Sequence, residues 1–177
     1  MMNTAVTIPN KLVTTSLEIT TPAAFRPAYI NDPEVQIVKM EKPDVRFYRF
    51  LYNSVGEQWR WRDRNFLADE ELEATLSAPG TSVYVMYVAG VPAGYVELSR
   101  QGQSTEIAYF GLRPDFMGQG LGKHLLSFGI AQAWNDGTRR VWVHTCNLDA
   151  PYALENYMKR GMKIFHMEEK PMPERYA

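Results

Sequence analysis

A chain of 177 residues, 45% hydrophobic and 22% charged, has the size and composition of one globular domain with a sizeable core. Its net charge of −1, with no basic block or tail, argues against nucleic acid or an anionic membrane as partner. The single cysteine, Cys146, excludes an internal disulfide framework, and no signal-peptide pattern or apolar run of about 18–20 residues is present, so a soluble, cytoplasmic protein is expected.

Residues 1–34 are rich in Thr and Pro and hold no sustained period. An irregular N-terminal arm is expected there, with Leu12–Ile19 at most a short edge strand. The folded domain is expected over 35–177. Val35–Met40 reads as a first strand, closed by Pro43. Asp44 has the chemistry of an N-cap for a helix whose stripe is Phe47, Phe50, Leu51 and Ser54-Val55. That helix should end between Gly56 and Trp59. The segment Trp59–Arg64, WRWRDR, alternates Trp with Arg and reads two ways. Its rings stack on a planar or anionic ligand, or they plug the edge of the core between solvated arginines. A second helix, Asp69–Ser77, crowds acids into its first turn, which suits the helix dipole, and Pro79-Gly80 ends it.

Three strands follow: Thr81–Ala89, Pro92–Arg100 and Thr105–Leu112. Their short connections imply an antiparallel meander. Arg113-Pro114-Asp115 stops the third, and Gly118, Gly120 and Gly122 alternate through a turn. From Leu121 the apolar residues recur at helical spacing: Leu121, Leu125, Phe128, and Leu126, Ile130, Ala133. A glycine turn feeding a helix N-terminus is an anion site, because free backbone N–H groups and the helix dipole point the same way. A Walker loop is excluded: Met117 stands where its first glycine belongs, and His124 follows Lys123. A dinucleotide loop is excluded too, since its third glycine falls on Lys123. Asn135-Asp136-Gly137 turns into the strand RRVWVHTC, which the helical crossover makes parallel to Thr105–Leu112. A helix from Pro151 to Lys159, a stop at Gly161 and a last strand, Met162–Glu169, complete the chain.

The loop resembles the coenzyme A loop of the GCN5-related N-acetyltransferase (GNAT) superfamily, Gln/Arg-x-x-Gly-x-Gly/Ala. Gly120 and Gly122 match, and Met117 replaces the usual Gln or Arg. A second motif of that family, Ala-x-x-Leu-Tyr-x-Lys-x-Gly-Phe, is met by Ala153, Tyr157, Lys159 and Gly161, with Asn156 for Leu and Met162 for Phe. The order of elements is similar to that family from Val35 to about Glu169. The resemblance implies an α/β (α+β) fold: a mixed, mostly antiparallel sheet of about six to seven strands flanked by about four helices, splayed at the cofactor site. It also implies transfer of an acetyl group from acetyl-CoA to an amine, on a small molecule or peptide, by direct attack in a ternary complex. The alternative is a protein of this fold that binds acyl-CoA as a sensor or scaffold without turnover. Homodimers are common in the resembled family.

Such a transfer must neutralise the amine, of which only about 1 part in 10³ is uncharged at pH 7 for a lysine-like pKa. It also needs a donor for the oxyanion and a proton for the leaving thiolate. Glu106, which opens the strand leading to the loop, is the expected base, as in the histone-acetylating branch. Tyr157, by its motif register, is the expected acid. The resemblance assigns coenzyme A to the strand end at Phe110, Gly111 and Leu112, to the loop Met117, Gly118, Gln119, Gly120, Leu121, Gly122 and Lys123, and to Asn147. Gly111 fits a bulge or a close backbone approach. Trp59 and Trp61, on the linker that walls the acceptor site in the family, join Glu97 and His144 as acceptor candidates. Cys146 reads as a small core residue. His124, His144 and His166 show no metal-ligand spacing, and no metal is expected.

Overall fold

A computed structural model describes residues 7–176. Seven strands form one sheet: β1 (Lys11–Ile19), β2 (Val35–Lys39), β3 (Thr81–Val88), β4 (Val91–Gln101), β5 (Ser104–Leu112), β6 (Arg140–Cys146) and β7 (Lys163–Pro171). Their spatial order is β2-β3-β4-β5-β6-β1-β7. Every neighbouring pair is antiparallel except β5 and β6, which the crossover helix makes parallel. Four helices flank the sheet: α1 (Val45–Gly56), α2 (Asp69–Ser77), α3 (Leu121–Asn135) and α4 (Ala153–Lys159). The mixed sheet, its helices and its parallel pair match the sequence expectation.

The N-terminal segment differs from it. Residues 11–19 are neither irregular nor at an edge, since β1 lies between β6 and β7. Leu17 faces Val143 on one side and Ile164 on the other, and Leu17 and Ile19 are buried. Thr15 shares their buried face, so hydroxyls interrupt the hydrophobic alternation that would have marked an inner strand. Both partner strands come from the far end of the chain, beyond the reach of any local turn signal. Downstream of β1 the chain lies against α3, where Ala28 N donates to Ser127 Oγ (2.8 Å) and Ile30 N to His124 Nδ1 (3.3 Å).

Two cores sandwich the sheet. One packs α3 against Leu17, Val96, Ile107 and Val143. The other packs α1 and α2 against Val83, Val85 and Tyr95. Asp44 caps α1 as expected, its carboxylate accepting from Phe47 N at 2.8 Å. The buried stripe, however, is Tyr48, Leu51, Tyr52 and Val55, and Phe50 is exposed. The tyrosines displace the phenylalanines because their hydroxyls find partners inside: Tyr48 donates to Glu97, and Tyr52 accepts from Arg64 N at 3.2 Å.

Two irregularities open the sheet at its centre. The β4–β5 register shifts between Glu97 and Leu98, which pairs Glu97 with Tyr109 and Leu98 with Ile107 and leaves Ala108 extra. This bulge lies a little before the Phe110–Leu112 segment where the sequence reading put it. The parallel pairing of β5 with β6 covers only Ser104–Glu106 against Arg140–Trp142. Beyond Glu106 the strands diverge.

Candidate active site

The divergence of β5 from β6 opens a cavity of about 450 Å³. It reaches from the α1–α2 linker, past Glu106 and His144, to Met117 and Gly122 of the glycine loop and to α4. A second cleft of about 280 Å³ continues along the loop, lined by Gly118, Gly120, Gly122, Lys123 and the C-terminal end of α4.

The loop end is built for an anion. Gly120 is the N-cap of α3 with φ +78°, a left-handed conformation that glycine adopts without strain. It has no side chain to cap with, so the first-turn N–H groups stay unspent. Lys123 adds a cation at the cleft. Arg160, just past α4, is 8% exposed, and its Nε and Nη1 have no hydrogen-bond partner among the described residues. Burial lowers its pKa, and buried N–H groups left without an acceptor are costly. A cradle of free N–H groups with an orphaned arginine beside it fits the phosphates of a coenzyme A.

The stretch between β5, β6 and α4 holds ionisable groups. His144 Nδ1 lies 3.0 Å from Glu106 Oε1. The hydrogen bond to Glu106 holds the imidazole above its ordinary range, against the opposing effect of partial burial. Tyr157 is buried with its ring 6.2 Å from that of Phe110, and burial raises its pKa far above the ordinary range. Its hydroxyl is therefore protonated at neutral pH. Cys146 also lines the cavity, and burial pushes its thiol up to about 11, so it is no ready nucleophile.

The end beside the α1–α2 linker is aromatic. Trp61 packs against Tyr52, Tyr95 and Tyr109 at centroid distances of 5.5, 6.5 and 5.2 Å. Glu97 lies beneath, 1% exposed, accepting from Tyr48 Oη and from Arg64 Nη2 (2.5 Å). Burial pushes its carboxyl up, and Arg64 and Tyr48 oppose that by stabilising the anion. Arg49 of α1 fixes the linker that carries Arg64, donating to the carbonyls of Arg64 (3.1 Å) and Leu67 (2.7 Å). The chain's last described residues form an outer wall. Arg175 Nε meets Asp63 Oδ1 at 2.9 Å, Tyr176 Oη donates to Asp63 Oδ2 at 3.2 Å, and Arg60 Nη1 donates to the Tyr176 carbonyl at 3.0 Å.

Most sequence candidates converge on these two spaces. Glu106, Tyr157, Phe110, Gly111, Leu112, Met117, Gly122, Trp59, Trp61, Glu97 and His144 all line the larger cavity. Gly111 also lets α1 in close: a Cβ there would stand 2.5 Å from Val55 Cγ1. Three candidates are not brought in. Asn147 spends its amide on β1, accepting from Val13 N (3.0 Å) and donating to the Lys11 carbonyl (2.9 Å). Gln119 turns back to the Asp115 carbonyl at 3.3 Å, and Leu121 is buried in the core. Glu97 is an internal ion-pair member and has no free oxygen for an acceptor's cation.

Sequence reasoning missed Arg64, Arg160, Asn156 and the Arg175–Tyr176 wall. Asn156 lines both spaces and stood out as a departure from the second motif, which was the one available signal. Among the described residues no three His, Cys, Asp or Glu side chains converge as a metal site, and no helix is long and apolar enough to cross a membrane.

Comparisons with solved structures agree with this fold. A conserved protein of unknown function from Staphylococcus epidermidis superposes with a TM-score of 0.68 at 18% identity, over 90% of this chain and 60% of its own. A GCN5-related N-acetyltransferase from Sphaerobacter thermophilus gives 0.68 at 15% identity, over 92% and 52%. An aminoglycoside N-acetyltransferase in complex with CoA gives 0.53 at 17% identity, over 72% and 86%. The chain thus spans little more than half the length of the first two. Comparison with curated proteins gives no match. The model of the acetyltransferase (GNAT) family matches residues 46–162, the stretch that carries α1 through α4, and the chain therefore belongs to the GNAT acetyltransferase family.

Proposed function

We propose that this protein is an N-acetyltransferase that passes the acetyl group of acetyl-CoA to an amine by direct attack in a ternary complex. The observation that carries the reading is one continuous cavity with Glu106 and Tyr157 on its walls and the glycine loop at its end. Acetyl-CoA supplies the activated acetyl group and a thiolate leaving group. Gly120, Lys123 and Arg160 hold its phosphates. The β5 edge beyond Glu106 has lost β6 as a partner, which leaves backbone groups along Ala108–Leu112 for an extended arm.

Glu106 takes the proton from the acceptor ammonium and frees the nitrogen lone pair. His144 controls that carboxylate. While His144 is protonated, the two form a closed ion pair that withholds the carboxylate from the acceptor. Once His144 is neutral, Glu106 is released. The tyrosine hydroxyl of Tyr157 then donates its proton at the departing sulfur, which its raised pKa permits only as sulfur gains charge.

Thiol release from acetyl-CoA with a panel of primary amines tests the reading. Turnover is expected, with kcat falling by about 10²-fold or more in Glu106→Gln and in Tyr157→Phe, the scale of a lost proton-transfer group. His144→Gln should keep turnover and move the acidic limb of the kcat/KM profile to lower pH. Its imidazole is held high in the wild type, so activity there rises only as pH passes that raised value. Acetyl-CoA stabilisation with no turnover on any amine would refute the transferase reading.

A further inference from the structure

Resting on the acetyl-CoA part of that proposal, we infer that Asn156 binds the amide-bearing arm of the thioester donor. The larger cavity and the loop cleft share Leu112, Met117, Gly122, Tyr152 and Asn156 as lining residues, so these form the neck between the two spaces. A donor with its phosphates at Gly120, Lys123 and Arg160 and its thioester beside Tyr157 passes its middle through that neck. In coenzyme A the middle is an extended chain with two secondary amides, each carrying one N–H donor and one carbonyl acceptor.

Most of the neck has no polar side chain to spare for such a chain. Leu112 and Met117 are apolar, and Gly122 has no side chain. Tyr152 is engaged, its hydroxyl donating to Met117 Sδ at 3.3 Å across the gap between the start of α4 and the glycine loop. Asn156 is different. It stands one turn beyond Tyr152, its N–H donating to the Tyr152 carbonyl at 3.1 Å, which sets the two side chains on one face of the helix. Asn156 is half-buried, and its side-chain amide has no hydrogen-bond partner among the described residues. Its Nδ2 faces the first turn of α3: a Cβ on Gly122 would stand 4.0 Å from it, and glycine leaves that space open. A carboxamide presents two donors and two lone pairs, so it can give to a carbonyl and take from an N–H of one passing chain. The leucine that the second family motif has at this position can do neither. Asn147, which the resemblance assigned to the cofactor, spends its own amide on β1. Asn156 supplies inside the neck the amide that Asn147 does not, and Leu112 brings the unpaired end of β5 to the same place.

Calorimetry tests this with acetyl-CoA, with S-acetylpantetheine, which is the arm without the nucleotide, and with ADP, which carries a diphosphate and no arm. In Asn156→Leu and in Asn156→Ala, acetyl-CoA and S-acetylpantetheine should each bind about tenfold more weakly, the scale of one or two lost neutral hydrogen bonds. ADP should bind both variants as it binds the wild type. Unchanged acetyl-CoA affinity in the two variants would overturn the assignment. So would an equal loss on ADP, which reports a distorted cleft, or a loss in Asn156→Leu alone, which reports a blocked neck. Acetyl-CoA that does not bind the wild-type protein would overturn the donor itself. The tenfold loss found in a protein that turns over no amine would support Asn156 and remove the transfer.

Discussion

Replacing Arg64 by methionine should cost more stability than any surface change in this protein. The side chain is only 16% exposed and the carboxylate it meets, on Glu97, is 1% exposed. Methionine fills much of the same volume, so the loss is mainly electrostatic: a buried anion keeps Tyr48 and loses the cation paired with it. Breaking one side of such a pair costs about 3–5 kcal/mol. For a domain of this length that is a Tm lower by roughly 10 °C. The effect should depend on pH. Burial already pushes the Glu97 carboxyl up, and without Arg64 it rises further, so the folded state binds a proton more tightly than the unfolded chain. The penalty is therefore small below the unfolded carboxylate pKa and grows as pH rises through and beyond it. Urea melts at pH 5 and pH 8 measure this, and the gap between wild type and variant should be wider at pH 8. Adding Glu97→Gln should recover a large part of the loss, because a neutral amide replaces the orphaned charge. A gap below about 1 kcal/mol, or one that does not change with pH, would refute the idea that Arg64 and Glu97 stabilise each other as a buried ion pair.

Two further changes separate ligand binding from folding. Arg160→Met removes a guanidinium whose buried Nε and Nη1 have no hydrogen-bond partner among the described residues, so the ligand-free Tm should rise, while calorimetry should find acetyl-CoA bound at least about tenfold more weakly, the scale of a lost charged hydrogen bond. S-acetylpantetheine, which lacks the diphosphate, should bind both proteins alike. Asn147→Ala should lower stability by about 1–2 kcal/mol through its two lost bonds to β1 and leave the acetyl-CoA Kd unchanged; weaker acetyl-CoA binding would return Asn147 to the cofactor site.

What the sequence disclosed was local. The glycine turn, the meander and the crossover helix each announce themselves within a few residues, through turn chemistry or period. What it concealed was long-range partnership. The α1 stripe was misplaced because Tyr48 and Tyr52 are paired with Glu97 and Arg64, and no spacing within α1 reports that. Asn147 matched a family position, yet its amide is taken by a strand from the opposite end of the chain. Glu106 and His144 stood as separate candidates because strand spacing shows which face a side chain occupies, whereas their 3.0 Å contact depends on where β5 and β6 part. The wall made by Arg175 and Tyr176 had no sequence signal, since a short polar tail reads as solvated.

The interior position of β1 also bears on the order of assembly. β7 touches the rest of the sheet only across β1, so it has nothing to zip onto until residues 11–19 have docked on β6. That docking closes the long loop between Ile19 and Val141, an entropic cost that rises only with the logarithm of loop length but must be met before the contacts repay it. Synthesis thus releases the first strand early and leaves it waiting for the last to emerge. The Asn10 carbonyl accepts from Met172 N at 3.0 Å, at the point where the chain leaves β7 for the cavity wall at Tyr176. A proteolytic cut near Asn10 would therefore loosen the β1–β7 pairing next to the turn that carries Tyr176 to the cavity.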